Sequence, residues 1–174
     1  METSEKIVEA YVRYVKGWAT IPNVKCKGQY ELDILAIDPV TLDRYHIESG
    51  VSVSHSYSKL TNRPFSDEER KIRVKMPKQR RTLGYFIEKK FSPENIMDTL
   101  NKYGFYEGNY EKIIVTWDIT DEAQEKANRL GIKIWLFKDI IHEIAKHIKD
   151  QRTHFTDDTL RTLQLYTKAE KELK

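Results

Sequence analysis

The sequence is poor in the features that mark secreted and membrane-bound proteins. Its single cysteine, Cys26, has no second cysteine to form an intramolecular disulfide with, which fits a reducing compartment. No apolar run approaches the roughly 20 residues that a membrane-spanning helix needs. The N-terminal Met1–Lys6 segment is charged where a secretory signal peptide is apolar. We therefore expect a cytoplasmic protein that has no membrane partner.

A large net charge is also missing, although charged residues make up 33% of the chain. The formal net charge is only +3, so overall charge gives no argument for a polyanionic partner. The basic residues are concentrated, however, because the range 59–90 contains eleven Lys and Arg against four Asp and Glu. This segment is where a nucleic acid would bind, although a solvated loop would show the same composition.

The apolar pattern predicts one helix and then three strands in the first third of the chain. Apolar residues recur at helical spacing over 5–16, with Ser4 as the N-cap. Three β-prone runs follow at 20–27, 32–37 and 45–53, and the connections between them are too short for helical crossovers. We expect these three strands to be antiparallel neighbours.

The second half of the chain predicts a βαβ unit. A strand at 112–117, a helix at 121–130 capped by Thr120, and a strand at 132–137 follow one another closely. Two strands joined through a helix in this way are expected to be parallel. The other predicted elements are a loop over 59–81 with a short helix near 67–73, and helices at 92–101, at 140–148 and from 156 onward.

These elements predict the α/β class, with a mixed central sheet flanked by helices. The 174 residues suffice for one compact core. We expect one domain over 1–150 and a C-terminal helical extension over 151–174 that packs on the same domain.

Two carboxylates interrupt the predicted strands. Asp33 lies at the start of the second strand, and Glu48 lies inside the third. Two carboxylates on paired strands repel each other unless a cation lies between them. Mg²⁺ prefers oxygen ligands and leaves its other positions to water and phosphate. The pair therefore predicts a divalent-cation site, whereas taken singly Asp33 is also explained as a turn residue and Glu48 as a partner of Arg44.

The residues around these carboxylates resemble the PD-(D/E)xK nuclease superfamily. Residues 28–33 read Gly-Gln-Tyr-Glu-Leu-Asp, and residues 47–50 read Ile-Glu-Ser-Gly. This order of segments, after a helix that carries a glutamate, is similar to that of Holliday-junction resolvases and Mrr-type restriction enzymes. The resemblance implies a restriction endonuclease-like core.

The resemblance also implies the roles of individual residues. It makes Asp33, Glu48 and the backbone carbonyl of Ser49 the ligands of Mg²⁺ or Mn²⁺. It makes Asp33, Glu48 and the helix acid Glu5 the catalytic residues. Glu9, one helical turn further on, remains the alternative helix acid.

The sequence departs from the superfamily at position 50, where the motif lysine is replaced by Gly50. In the superfamily this lysine positions the attacking water and offsets charge in the transition state. A lysine from a neighbouring element is an alternative source, and the candidates are Lys25, Lys27, Lys89 and Lys90. If none of them serves, Gly50→Lys is expected to create or raise activity, because residues 48 and 50 of a strand project from the same face. His46 shares that face, as a phosphate donor or as a bystander.

The implied function is the metal-dependent hydrolysis of phosphodiester bonds in DNA. The alternatives are a nuclease-fold protein that binds nucleic acid without cutting it and a subunit, such as a homodimer, that serves assembly. Aromatic residues are interleaved with the basic ones over 59–90, which suits phosphate contact combined with base stacking. The residues expected to bind nucleic acid are Lys75, Lys78, Arg80, Arg81, Lys89 and Lys90.

If the basic segment binds nucleic acid, neutralising Lys78, Arg80 and Arg81 to Gln will flatten the salt dependence of binding. Each lost phosphate contact removes about 0.9 from the slope of log K against log salt concentration. Fluorescence anisotropy with a labelled duplex at several salt concentrations measures this slope. An unchanged slope would place the binding surface elsewhere.

Overall fold

The computed structural model describes residues 2–52, 59–65, 82–149, 151–152 and 154–172. Within these residues the chain is a mixed α/β structure with a five-stranded central sheet between two layers of helices, as the sequence predicts. No helix in the described ranges is both long enough and apolar enough to cross a membrane.

The central sheet is half antiparallel and half parallel. Its strand order is β1-β2-β3-β5-β7, and a separate pair of two-residue strands, β4 and β6, lies beside it. The strands of the described residues are β1 (Ala19–Lys25), β2 (Glu31–Ile37), β3 (Arg44–Ser49), β4 (Lys59–Leu60), β5 (Tyr110–Thr116), β6 (Asp118–Ile119) and β7 (Ile132–Leu136). β1, β2 and β3 are antiparallel neighbours, and β5 and β7 are parallel, which confirms both predictions. β3 joins the two halves because it pairs with β5 in parallel.

Two of the helices change from α to π geometry along their length. The helices are α1 (Thr3–Ala10, continuing as a π-helix over Tyr11–Val15), α2 (Leu83–Tyr85, continuing as a π-helix over Phe86–Phe91), α3 (Glu94–Lys102), α4 (Asp121–Arg129), α5 (Phe137–Ile148) and α6 (Asp158–Glu172). In a π-helix the backbone hydrogen bonds span five residues, so each turn holds more residues than an α-turn. Both π segments lie in helices that pack on the sheet.

The alternation of side chains along the strands divides the core into two faces. Ile47 and Ile113 point to the face covered by α1, α5 and α6, where Val8, Ile144 and Leu160 are buried. Ile114 and Leu35 point to the other face, which is covered by α2, α3 and α4. The side chains of residues 46 and 48 point to this second face, because they alternate with Ile47.

The helix starts agree with the sequence in one case and differ in another. Thr120 caps α4 as predicted, because its side chain accepts a hydrogen bond from Ala123 N. Ser4 does not cap α1, since the helix begins two residues earlier with Glu2 as the N-cap. The backbone N–H of Glu2 donates to Glu5 Oε2 at 2.8 Å, which supplies the cap that was expected from Ser4. The helix predicted near 67–73 lies outside the described residues.

The start of α2 is fixed against residues 59–65. The N–H of Leu83 donates to Thr61 O at 2.9 Å, and the N–H of Gly84 donates to Arg63 O at 3.3 Å. A Cβ atom at Gly84 would lie only 2.4 Å from the backbone nitrogen of Phe65. This close approach of two backbones leaves no room for any side chain at position 84.

We predict that Gly84→Ala destabilises the protein. The added methyl group meets backbone atoms, which cannot swing aside as a flexible side chain does, so overpacking will lower the free energy of unfolding by about 1–3 kcal/mol. Urea denaturation followed by circular dichroism measures the loss. An unchanged midpoint and slope would show that the two segments separate without cost.

Candidate active site

Two carboxylates from adjacent strands meet inside the structure. The register that places Ile34 of β2 opposite Ile47 of β3 brings Asp33 beside Glu48. The backbone N–H of Asp33 donates to Glu48 Oε1 at 3.3 Å. Asp33 is 6% exposed and Glu48 is 0% exposed, so both acids are withdrawn from bulk water. Burial at this depth is costly for an ionised carboxylate unless a cation compensates it.

The compensating cation is the ammonium group of Lys90, on the π-helical part of α2. Its Nζ lies 2.8 Å from Asp33 Oδ1 and 2.5 Å from Glu48 Oε2. It also donates to the backbone carbonyl of Glu31 at 3.1 Å. Only 19% of the Lys90 side chain is exposed. The lysine thus joins two carboxylates that lie 57 and 42 residues before it in the chain.

His46 holds Glu48 from the opposite side. Its Nε2 lies 2.7 Å from Glu48 Oε1, and the imidazole is fully buried with its ring edge-to-face against Phe91. Burial, with a smaller contribution from the positive charge of Lys90, lowers the pKa of His46 to about 3. A neutral imidazole that faces a carboxylate acts as donor, so we assign the Nε2–H of His46 to Glu48. His46 therefore orients Glu48 and is too deeply buried to contact a phosphate.

Asp33 is held by the backbone of β3. The N–H of Ser49 donates to Asp33 Oδ2 at 2.8 Å. The contact that the structure shows between Ser49 and the carboxylates is thus through the nitrogen of Ser49, whereas the resemblance implied a role for its carbonyl. With Oδ2 bound to Ser49, Oδ1 remains for the cation.

The pKa values of these groups reflect burial and mutual repulsion. Burial, followed by the negative charge of Glu48, raises the pKa of Asp33 to about 7. Burial also raises the pKa of Glu48, although Lys90 opposes this shift. For Lys90, burial favours the neutral amine, but the charges of Glu48 and Asp33 outweigh it and raise the pKa above its ordinary value. The site therefore holds a permanent ammonium between two acids that resist simultaneous ionisation.

The geometry distinguishes the two candidate helix acids. Burial, followed by the charge of Asp33, raises the pKa of Glu5, so Glu5 lies within electrostatic range of the carboxylate pair. Glu9 is engaged elsewhere, because its Oε1 accepts from Thr20 Oγ1 at 3.1 Å and pairs with Arg13 at 3.5 Å. Of the two, Glu5 is the residue whose pKa responds to the charge of Asp33.

Of the four candidate lysines, the structure brings Lys90 to the carboxylates. Lys25 pairs with Glu31 at 2.6 Å on the surface, and Lys27 is exposed. Lys89 lies over the ring of Phe65, 5.6 Å from its centroid. The ammonium of Lys90, which the sequence assigns to nucleic-acid binding, points inward to the acids in this structure. Lys75, Lys78, Arg80 and Arg81 lie outside the described residues.

The structure also changes the expectation for Gly50. A Cβ atom at this position would lie 2.5 Å from Cζ of Phe86, the first residue of the π-helical segment. A lysine at position 50 would force the buried ring of Phe86, four residues before Lys90 on the same helix, to move. We therefore expect the Gly50→Lys substitution to disturb the packing beside Lys90, whereas the sequence alone predicts a gain of activity.

The donor atoms around the Lys90 ammonium suit a hard divalent cation. Asp33 Oδ1, Glu48 Oε2 and the carbonyl oxygen of Glu31 all lie within 3.1 Å of Nζ. Mg²⁺ and Mn²⁺ accept two carboxylates and complete their coordination with carbonyl oxygens and water. In the described part of the chain, no group of three or more His, Cys, Asp or Glu side chains is arranged to hold a metal ion. A metal at this site would thus depend on Asp33, Glu48 and non-side-chain oxygens.

Comparison with known proteins identifies a similar fold. No known family profile matches the sequence, and no curated protein matches it. The crystal structure of a protein of unknown function, AF1548, is similar over 98% of both chains, with a TM-score of 0.52 and 15% identity. A repair endonuclease from Pyrococcus abyssi gives a TM-score of 0.45 with 13% identity, over 78% of this chain and 47% of that one. At these identities the first similarity shows a shared fold alone.

The pKa of Asp33 predicts how the stability of the metal-free protein depends on pH. The folded-state pKa of about 7 lies above the ordinary value of 3.8, so the folded state binds the proton more tightly than the unfolded state. The stabilising contribution is complete below about pH 4 and is lost as the pH rises through 7. His46 acts in the opposite direction, because its lowered pKa makes stability rise between about pH 3 and 6.5.

Comparison with Asp33→Asn separates these two contributions, since only the wild type titrates at position 33. Between pH 4 and 8, with a chelator present, the free energy of unfolding of the wild type should fall relative to the variant by up to about 4 kcal/mol, the equivalent of roughly three pKa units. Urea denaturation at each pH gives the difference. A difference that stays constant would mean that Asp33 ionises normally beside Lys90.

Proposed function

We propose that this protein is a metal-dependent nuclease that hydrolyses phosphodiester bonds in DNA, with Lys90 in the role of the motif lysine that Gly50 does not supply. The observation that carries the proposal is the position of Lys90 Nζ, within 2.8 Å of both Asp33 and Glu48. The sequence resembles the PD-(D/E)xK superfamily in its acids but lacks the lysine at position 50. A lysine from α2 completes the set of groups that this chemistry requires.

Asp33 and Glu48, together with a backbone carbonyl, would hold Mg²⁺ or Mn²⁺. A bound divalent ion supplies Lewis acidity toward a phosphate oxygen and lowers the pKa of a water molecule. Ser49 N binds Asp33 Oδ2, and His46 Nε2 binds Glu48 Oε1. These contacts leave Asp33 Oδ1 and Glu48 Oε2 directed at one position, where the metal would bind.

Lys90 would contribute a charge and hydrogen bonds beside the metal. Its ammonium has three donors on a flexible stem, so it can orient a water molecule and offset negative charge on a phosphate. Glu5 lies at the edge of the site within range of Asp33, where a carboxylate can accept a hydrogen bond from water. The chain thus supplies acids, a cation and a peripheral acceptor around one position.

A second candidate function is nucleic-acid binding without cleavage. The observation that favours it is that the Lys90 ammonium by itself compensates the two acids. In such a site the charges of the acids are balanced by the lysine, so the cluster can serve a structural role without a metal. The two functions differ in one measurable property, the cleavage of DNA that depends on a divalent cation.

A supercoiled plasmid assay with Mg²⁺ or Mn²⁺ tests the proposal. The wild type should nick the plasmid, and Glu48→Gln and Lys90→Met should each lower the initial rate by about 100-fold or more, because each removes a group that contacts the reacting centre. Lys102→Met is the matched control, since it removes the same charge from an exposed lysine of another helix, and it should retain most of the activity.

Absence of nicking by the wild type with either cation would favour the binding function. Nicking that survives Glu48→Gln would show that the reaction occurs at another site. Circular dichroism of each variant establishes that the loss of activity is not a loss of folding.

A further inference from the structure

The Lys90 ammonium lies in the centre of the oxygen cluster. Its Nζ contacts Asp33 Oδ1 at 2.8 Å, Glu48 Oε2 at 2.5 Å and Glu31 O at 3.1 Å. These are oxygens from three residues on two strands, and they converge on the ammonium as ligands converge on a metal ion. A lysine beside a metal site would instead reach a single ligand or the solvent side of the pair.

We propose that Lys90 is a tethered cation that occupies the metal position until a divalent ion displaces it. The inference rests on the metal site of the proposed function and adds a mode of regulation to it. In the metal-free protein Lys90 compensates Asp33 and Glu48. When the metal enters, the Lys90 side chain leaves the centre, which places its ammonium on the open side of the site.

The Lys90 ammonium and a divalent ion cannot occupy this position at the same time, because of their size and their charge. Mg²⁺ binds oxygen at about 2.0–2.1 Å, so an ion bound to Asp33 Oδ1 and Glu48 Oε2 would overlap the present position of Nζ. Two carboxylates balance one divalent ion, and an ammonium in contact with that ion would be repelled. The four-carbon stem of lysine and the 19% exposure of the Lys90 side chain give the ammonium a way out toward solvent.

The exchange explains why the acids tolerate burial without a metal. Removing a single partner from a buried ion pair normally leaves an uncompensated charge. Lys90 prevents this in the metal-free state, and it also competes with every entering cation. The consequence is a wild-type affinity for divalent ions lower than the two carboxylates alone would give.

Calorimetric titration with Mn²⁺ measures this competition. Lys90→Gln should bind Mn²⁺ at least about tenfold more tightly than the wild type, because one competing charge in contact with the ligands has been removed. Lys89→Gln is the control, since it removes the same charge one residue away and should bind as the wild type does. Equal or weaker binding by a folded Lys90→Gln variant would overturn the exchange.

A measurement on the unaltered protein decides the question even if Lys90→Gln fails to fold. Acetic anhydride modifies accessible amines, and mass spectrometry reports the rate for each lysine. Modification of Lys90 should be slow in the presence of a chelator and should rise several-fold with saturating Mn²⁺, whereas that of Lys89 should stay constant. A rate for Lys90 that does not change with Mn²⁺ would overturn the exchange.

These results separate the exchange from the proposed nuclease function. Plasmid nicking by the wild type, combined with an unchanged modification rate of Lys90, would overturn the exchange alone. Absence of Mn²⁺ binding by both the wild type and a folded Lys90→Gln variant would overturn the metal site and the exchange together.

Discussion

The contact between the Lys90 ammonium and the carboxylates of Asp33 and Glu48 is the interaction on which the rest of the site depends. Moving an ion from water into a protein interior costs several kcal/mol even after relaxation. The cost here is reduced by good geometry, because His46 Nε2 and the backbone N–H groups of Asp33 and Ser49 hold the carboxylate oxygens that Lys90 does not contact. Such an arrangement fixes the directions of the carboxylate oxygens, but a buried ion pair contributes little net stability, which is consistent with the chemical role proposed above.

The sequence predicts the two carboxylates of the site because they interrupt the apolar pattern of the strands. Asp33 and Glu48 stand among apolar residues of strands, and short connections determine that those strands are antiparallel neighbours. The fold class and the parallel pair β5 and β7 followed from the same alternation and from turn lengths. The sequence did not separate Glu5 from Glu9; the effect of the Asp33 charge on the pKa of Glu5, and the contact of Glu9 with Thr20, depend on the three-dimensional fold.

The lysine could not be chosen from the sequence, because its direction depends on a local change in helix geometry. Each residue of an α-helix rotates the side chain by a constant angle, so the facing of Lys89 and Lys90 can be calculated only if the helix is regular. The π-helix over Phe86–Phe91 holds an additional residue per turn and changes that facing. The buried residues Phe86 and Phe91 of this π-helix are five positions apart. This spacing does not match the 3.6-residue period of an α-helix, so the apolar pattern does not predict the helix.

The glycine at position 50 and the position of Lys90 are both related to the packing of Phe86 against β3. The ring of Phe86 occupies the space into which a side chain at position 50 would project, with its Cζ atom 2.5 Å from where the Cβ would be. A side chain at position 50 and the ring of Phe86 in its present position are therefore mutually exclusive. With glycine at position 50, the helix approaches β3 closely enough for Lys90, four residues after Phe86, to reach both acids. Under the proposed function, glycine at position 50 thus leaves the space that the ring of Phe86 fills, and a substitution at Gly50 is expected to act first on the position of Lys90.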